Sequence, residues 1–181
     1  MVTDTLTQFD QAVAKARSVF EKKTRDYGTS WRIMRTRSLT DQIFIKAQRI
    51  RTVDTKGKQM IEDKVPDEFI GILNYCVIAL MQMELSDADP LELNADVALT
   101  RYDVITTKAR ELMLLKNHDY GEAWRDMRIN SFTDLILMRV LRIRQIEDNE
   151  GKTIASEGID SNLLDIINYS IFALIKLDEQ S

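Results

Sequence analysis

Apolar side chains return every three or four positions over residues 4–26, at Leu6, Phe9, Val13, Ala16 and Phe20. This period predicts one helix with a single buried stripe. Thr3 or Thr5 is placed to cap its start, because a hydroxyl oxygen can accept from a free N–H of the first turn. Gly28 is placed to end it, since glycine adopts the left-handed C-terminal conformation at least cost. Residues 28–37 lack the period and read as an irregular link. A second helix is predicted from Ser38 to Val53, with the serine as cap and Asp41 near the positive helix end. Ile43, Ala47, Ile50 and Val53 turn inward on it. Asp54-Thr55-Lys56-Gly57-Lys58 reads as a turn. A third helix is predicted from Pro66, which suits a first turn, to Leu85. Phe69, Ile70, Ile72, Leu73, Cys76, Val77, Ala79, Leu80 and Met83 make it apolar nearly all round, the mark of a central helix.

The same order then returns. Residues 86–95, polar and broken by Pro90, read as a linker. A helix over 96–119 carries Tyr102, Ile105, Ala109 and Leu112 on one stripe, and Gly121 ends it. The next runs from Ser131 to Ile146, and the last from Asp160 to Leu177, after a turn at Asp148-Asn149-Glu150-Gly151-Lys152. The clearest sign of duplication is Asp26-Tyr27-Gly28-Thr29-Ser30-Trp31-Arg32-Ile33-Met34-Arg35, which recurs as Asp119-Tyr120-Gly121-Glu122-Ala123-Trp124-Arg125-Asp126-Met127-Arg128, 93 residues on (119 − 26). One insertion makes the offset 94 for Asn74 and Asn168 (168 − 74). Such self-similarity decides the architecture. The prediction is an all-α fold: residues 1–85 and 96–181 form two three-helix repeats, packed as one six-helix pseudo-twofold bundle. The last helix of each repeat lies at the centre.

Composition narrows the function classes. The chain has 181 residues, a net charge of −4 and a pI near 5.2, which argues against a nonspecific nucleic-acid binder. Cys76 is the only cysteine and has apolar neighbours, so it reads as a buried structural thiol. No signal segment precedes the first helix, and no apolar run approaches the roughly 18 residues of a membrane span. A cytoplasmic protein without membrane partners is expected.

Comparison of the repeats points to candidate chemistry. Each aims several cations from equivalent places: Arg32, Arg35, Lys46 and Arg49 in the first, Arg125, Arg128, Arg139 and Arg142 in the second. Arginine offers a planar fork to phosphate and lysine a mobile point charge, so an anion site is one reading and a solvated, salt-bridged surface the other. Tyr27, Trp31, Tyr120 and Trp124 are candidates to stack on a base, or to pin the link to the core. His118 is the only histidine and Arg25 stands at its place in the first repeat (118 − 93), which excludes a paired histidine role. Asp165 falls in an apolar stretch and needs a partner or a metal. With Glu157 it would offer oxygen ligands, which suit Mg2+ or Mn2+. The alternative is an ion pair with Arg139 or Arg142. Gly71 stands at its place in the first repeat.

Lys23, Asp26, Tyr27, Gly28 and Trp31, with Asn74 and Tyr75, make a pattern repeated as Lys116, Asp119, Tyr120, Gly121, Trp124, Glu157, Asp165, Asn168 and Tyr169. Asp63 stands in the first repeat for the glutamate. The pattern resembles the domain-of-unknown-function 1599 family, also called nucleotide modification associated domain 1, in tandem. The resemblance implies a link to nucleotide or base modification. An all-helical chain with carboxylates on a late helix also looks somewhat like the all-α nucleotide pyrophosphohydrolases of the MazG and dimeric dUTPase kind. That likeness implies Glu157 and Asp165 on Mg2+, with Arg139 and Arg142 on phosphate.

The expected function is therefore binding of a nucleotide or other phosphorylated small molecule. The alternatives are a Mg2+-dependent nucleotide pyrophosphohydrolase and a non-catalytic helical interaction module. A homodimer is compatible with the sequence.

Overall fold

The computed structural model describes residues 4–57 and 64–181. The expectations for Thr3, Lys58 and Asp63 lie outside these residues. The chain is built from α1 (Thr5–Tyr27), α2 (Thr36–Lys56), α3 (Val65–Glu84), α4 (Ala95–Tyr120), α5 (Ile129–Asp148) and α6 (Ile159–Glu179). Two short 3-10 turns, Ser30–Ile33 and Ala123–Asp126, occupy the two links. No strand occurs among the described residues.

The helices start differently from the reading of the sequence. Asp4, not Thr5, caps α1, its carboxylate accepting from the Leu6 N–H. Ser38 lies inside α2, which begins at Thr36, and Ser131 inside α5, which begins at Ile129. The 3-10 turns are the reason. Each closes its link and delivers an extended arginine, Arg35 or Arg128, whose carbonyl accepts the first helical bond from Ser38 or Ser131. A side-chain cap is then not needed to begin the helix. The stops follow the glycines. Gly28 has φ 69°, and a Cβ there would strike the Glu92 carboxylate, so both backbone and space ask for glycine.

Helices α3 and α6 pack against each other at the centre, flanked by α2 and α5, which also touch each other. Helices α1 and α4 lie outside, each against both central helices. Each of these helix–helix contacts made by the first repeat is matched by one in the second, as a twofold axis between α3 and α6 requires. The central position explains why α3 and α6 are apolar on nearly all sides. Phe9, Phe69 and Phe132 are fully buried in the shared core, each contributing about 1.5–3 kcal/mol. Cys76 is among the buried residues, and burial pushes its thiol well above the ordinary value. Two asparagines fasten the outer helices to the central ones: Asn74 Nδ2 donates to the Ala16 carbonyl (3.1 Å) and Asn168 Nδ2 to that of Ala109 (3.0 Å). No helix among the described residues is long and apolar enough to cross a membrane.

Candidate functional site

In the first repeat a cavity of about 690 Å3 opens where α1, the link, α2 and α3 meet. Helix α1 brings Lys23 and Tyr27 to it, the link brings Gly28 and Trp31, α2 brings Lys46, and α3 brings Glu68, Gly71, Asn74 and Tyr75. These residues are far apart in sequence. They converge because the stop at Gly28 folds the link back over α3.

Glu68 is 5% exposed and would be costly to bury alone. Arg49 Nη1 donates to its Oε1 at 2.7 Å, and Lys46 Nζ lies 3.6 Å from Oε2. The Lys46 stem passes over Gly71, where a Cβ would come within 2.8 Å of Lys46 Cε. Glycine in a helix interior costs roughly 1 kcal/mol against alanine. Here it makes room for that lysine. The Lys46 ammonium stands 5.9 Å from the centre of the Tyr75 ring. Partial burial, then Tyr75 and Asp26, hold the Tyr27 phenol above its usual value, so it remains a hydrogen-bond donor at neutral pH.

The second repeat has the same frame and a different filling. Lys116, Arg139, Asn162 and Tyr169 stand where the first has Lys23, Lys46, Glu68 and Tyr75, and Asp165 replaces Gly71. Asp165 is 3% exposed. Its Oδ1 meets Lys116 Nζ at 2.5 Å, and its Oδ2 lies 2.9 Å from Arg139 Nη2. The second contact is an ion pair without hydrogen-bond alignment. Arg139 Nη1 also donates to Asn162 Oδ1 (3.1 Å), and Asn162 Nδ2 to the Gly158 carbonyl (2.8 Å). Asp165 thus takes the Arg139 pairing left open by the sequence. Trp124 stacks on Phe172 with ring centres 4.3 Å apart; the first repeat has Ile78 at the matching place.

The remaining sequence candidates are distributed as follows. Arg32, expected near a ligand, turns its donors to the linker: Pro90, Ser86 and Asp89 carbonyls accept at 3.1–3.2 Å, and Gln82 Oε1 accepts as well. Arg125 ties the second link to α1 through Thr5 Oγ1 and Gln8 Oε1 (both 2.7 Å), and to Glu122 and Glu179. Arg35 and Arg128 are exposed helix-start residues. Arg49 sits beneath Glu68. Trp31 lines the cavity, yet its indole N–H is buried and has no partner among the described residues, as is the case for Trp124. Tyr120 is exposed. Arg142 and Glu157 line a separate open groove beside α5, together with Arg51 and Arg139. Asp165 has both oxygens engaged by cations, Lys116 and Arg139. Among the described residues no group of three or more His, Cys, Asp or Glu side chains gathers as metal ligands. Sequence reasoning did not single out the pairing of Glu68 with Arg49 and Lys46 or the role of Gly71. A lone glycine in an apolar helix was the available signal.

A family model described as nucleotide modification associated domain 1 matches residues 23–83 and 116–177. The chain belongs to this family. Each match begins at the equivalent lysine, Lys23 or Lys116, and takes in the link and both later helices of its repeat. In this chain each matched segment takes in the end of an outer helix, the link and two inner helices, the parts that bound the cavity in the first repeat. No curated protein and no solved structure gives a significant match to the chain.

Proposed function

We propose that the chain binds a nucleotide or another phosphorylated small molecule in the cavity of the first repeat. The observation that carries this reading is the convergence of Lys23, Tyr27, Trp31, Asn74 and Tyr75, all from the repeated pattern, around one cavity that also holds Lys46. At about 690 Å3 the cavity falls within the range of roughly 300–1,000 Å3 typical of small-molecule sites. Lys23 and Lys46 supply mobile positive charge for phosphate. Tyr27 and Tyr75 supply aromatic faces for a base, and stacking on such faces contributes about 1–3 kcal/mol per base. The family description directs the reading toward nucleotides over other phosphorylated molecules.

Thermal unfolding against a panel of nucleoside mono-, di- and triphosphates, each with and without Mg2+, tests the proposal. A ligand at about 100 times its dissociation constant stabilises by about 2.7 kcal/mol. A nucleotide-dependent rise in the midpoint is expected. A panel without any rise would sink the reading. A rise that requires Mg2+ would turn attention to hydrolysis and to product analysis.

A further inference from the structure

The two repeats carry one frame, in which the first has Gly71 and Glu68 where the second has Asp165 and Asn162. We infer that the first repeat holds the phosphoryl group of its ligand between Lys23 and Lys46, above Gly71, at the place that Asp165 fills with its own carboxylate in the second. This rests on the reading of the cavity as a binding site and adds where the anion sits and how many ligands a chain holds.

The second repeat shows what the frame does with an anion. Asp165 is buried on α6, and Lys116 from α4 and Arg139 from α5 close on its two oxygens at 2.5 and 2.9 Å. The carboxylate is an oxyanion held from two sides by cations. In the first repeat the equivalent helices, α1 and α2, carry Lys23 and Lys46, and both line the cavity. The central helix carries Gly71, with no side chain to fill the space. Lys46 leans into it, close enough that a Cβ on Gly71 would touch its stem.

Lys46 can leave that position at little cost. Its contact with Glu68 is long, at 3.6 Å, and Arg49 holds the same carboxylate at 2.7 Å. Glu68 therefore remains neutralised when Lys46 turns to a ligand. Lys23 is exposed and has no ion-pair partner among the described residues, whereas its counterpart Lys116 is committed to Asp165. A phosphoryl group entering above Gly71 would gain two cations, at the expense of the long Lys46–Glu68 contact and with Arg49 still on Glu68. The second repeat is closed to the same group because it already contains one. One ligand per chain follows.

The test uses the full chain and inorganic phosphate as probe, titrated calorimetrically and by unfolding midpoint against sodium chloride of equal ionic strength. Wild type is expected to bind one equivalent. Gly71→Asp installs the carboxylate of the second repeat and is expected to weaken phosphate binding at least tenfold. Asp165→Gly copies the first repeat into the second and is expected to take up two equivalents. Should either variant fail to fold, Lys23→Gln and Lys46→Gln serve instead, each lowering phosphate affinity. Equal phosphate binding by wild type and Gly71→Asp, no phosphate binding by wild type, or unchanged affinity in both lysine variants overturns the inference. Nucleotide binding that survives Gly71→Asp would overturn this placement and leave the nucleotide reading standing. Phosphate binding lost in Gly71→Asp, with no nucleotide bound by wild type, would do the reverse.

Discussion

The Tyr102 hydroxyl donates a 2.7 Å hydrogen bond to Asn74 Oδ1 inside the bundle, joining α4 to α3. The twofold counterpart of this pair is broken. Asn168 Oδ1 is buried and has no partner among the described residues, and the place of Tyr102 is taken in the first repeat by Phe9 (102 − 93), which has no hydroxyl. A net hydrogen bond contributes about 1 kcal/mol, and a buried acceptor left unpaired costs about 1–3 kcal/mol. Phe9→Tyr is therefore expected to raise stability by about 1 kcal/mol, and Tyr102→Phe to lower it by about 1–2 kcal/mol. Urea unfolding of both variants would measure this. A loss of stability in Phe9→Tyr would mean that the space facing Asn168 cannot accept the oxygen.

The same tyrosine predicts an alkaline limb. Burial raises the Tyr102 phenol well above its ordinary value, Arg17 opposing and Asp103 adding. A raised folded-state value means that between the unfolded and folded values the native state binds more protons than the unfolded state, so stability falls as pH rises. The contribution is fully present below about pH 10, the unfolded tyrosine value, and is lost above it. Wild type should lose stability more steeply than Tyr102→Phe from about pH 10 upward, measured by urea midpoints over that range. Parallel slopes would show that Tyr102 ionises freely in the fold.

Gln82 organises the link on which the cavity depends. Its Nε2 donates to the carbonyls of Arg32 (3.0 Å) and Met34 (2.8 Å), with Trp31 at 3.5 Å. Its Oε1 accepts from Arg32. Lys176 takes the equivalent place in the second repeat and donates to the Arg125 carbonyl. Gln82→Ala should destabilise by about 2 kcal/mol, since several partly buried groups lose their partner together. Amide exchange at Arg32 and Met34, whose N–H groups close the 3-10 turn, should accelerate. Protection unchanged at these amides would assign the turn's stability to Trp31 packing instead.

Much of this arrangement was readable in the sequence. The 3.6-residue period of Phe9, Val13, Ala16 and Phe20, and the all-round apolarity from Phe69 to Leu80, specify outer and central helices through burial alone. The Asp-Tyr-Gly-x-x-Trp repeat specified the duplication, and the link it marks bounds the cavity. Helix starts were less legible, because Arg35 and Arg128 begin α2 and α5 through backbone carbonyls that any residue provides. The arginines were least legible. Charge and spacing place Arg32 and Lys46 alike on a basic segment, but a guanidinium with five donors goes wherever carbonyls are free, and for Arg32 that is the linker. The contrast between Gly71 and Asp165 was visible in the aligned repeats. Its physical meaning requires knowing that Lys46 lies over the glycine.

The two ion-pair centres should differ in what they lose when neutralised. Glu68 is held by Arg49 and Lys46, whose side chains are 21% and 27% exposed, so either cation can turn to water. Asp165 is held by Lys116, 46% exposed, and by Arg139, only 16% exposed and further tied to Asn162. Removing one member of a buried pair costs up to about 3–5 kcal/mol because the other charge is left without compensation, and solvent access reduces this. Asp165→Asn is therefore expected to destabilise by about 3 kcal/mol and Glu68→Gln by about 2 kcal/mol, measured by urea unfolding at neutral pH. Lys116→Met should cost less than Asp165→Asn, since Arg139 still neutralises the carboxylate. If Lys116→Met proves the costlier change, the lysine and not the arginine carries the second repeat, and the mobile lysines of the first repeat would be stronger electrostatic partners than their exposure indicates.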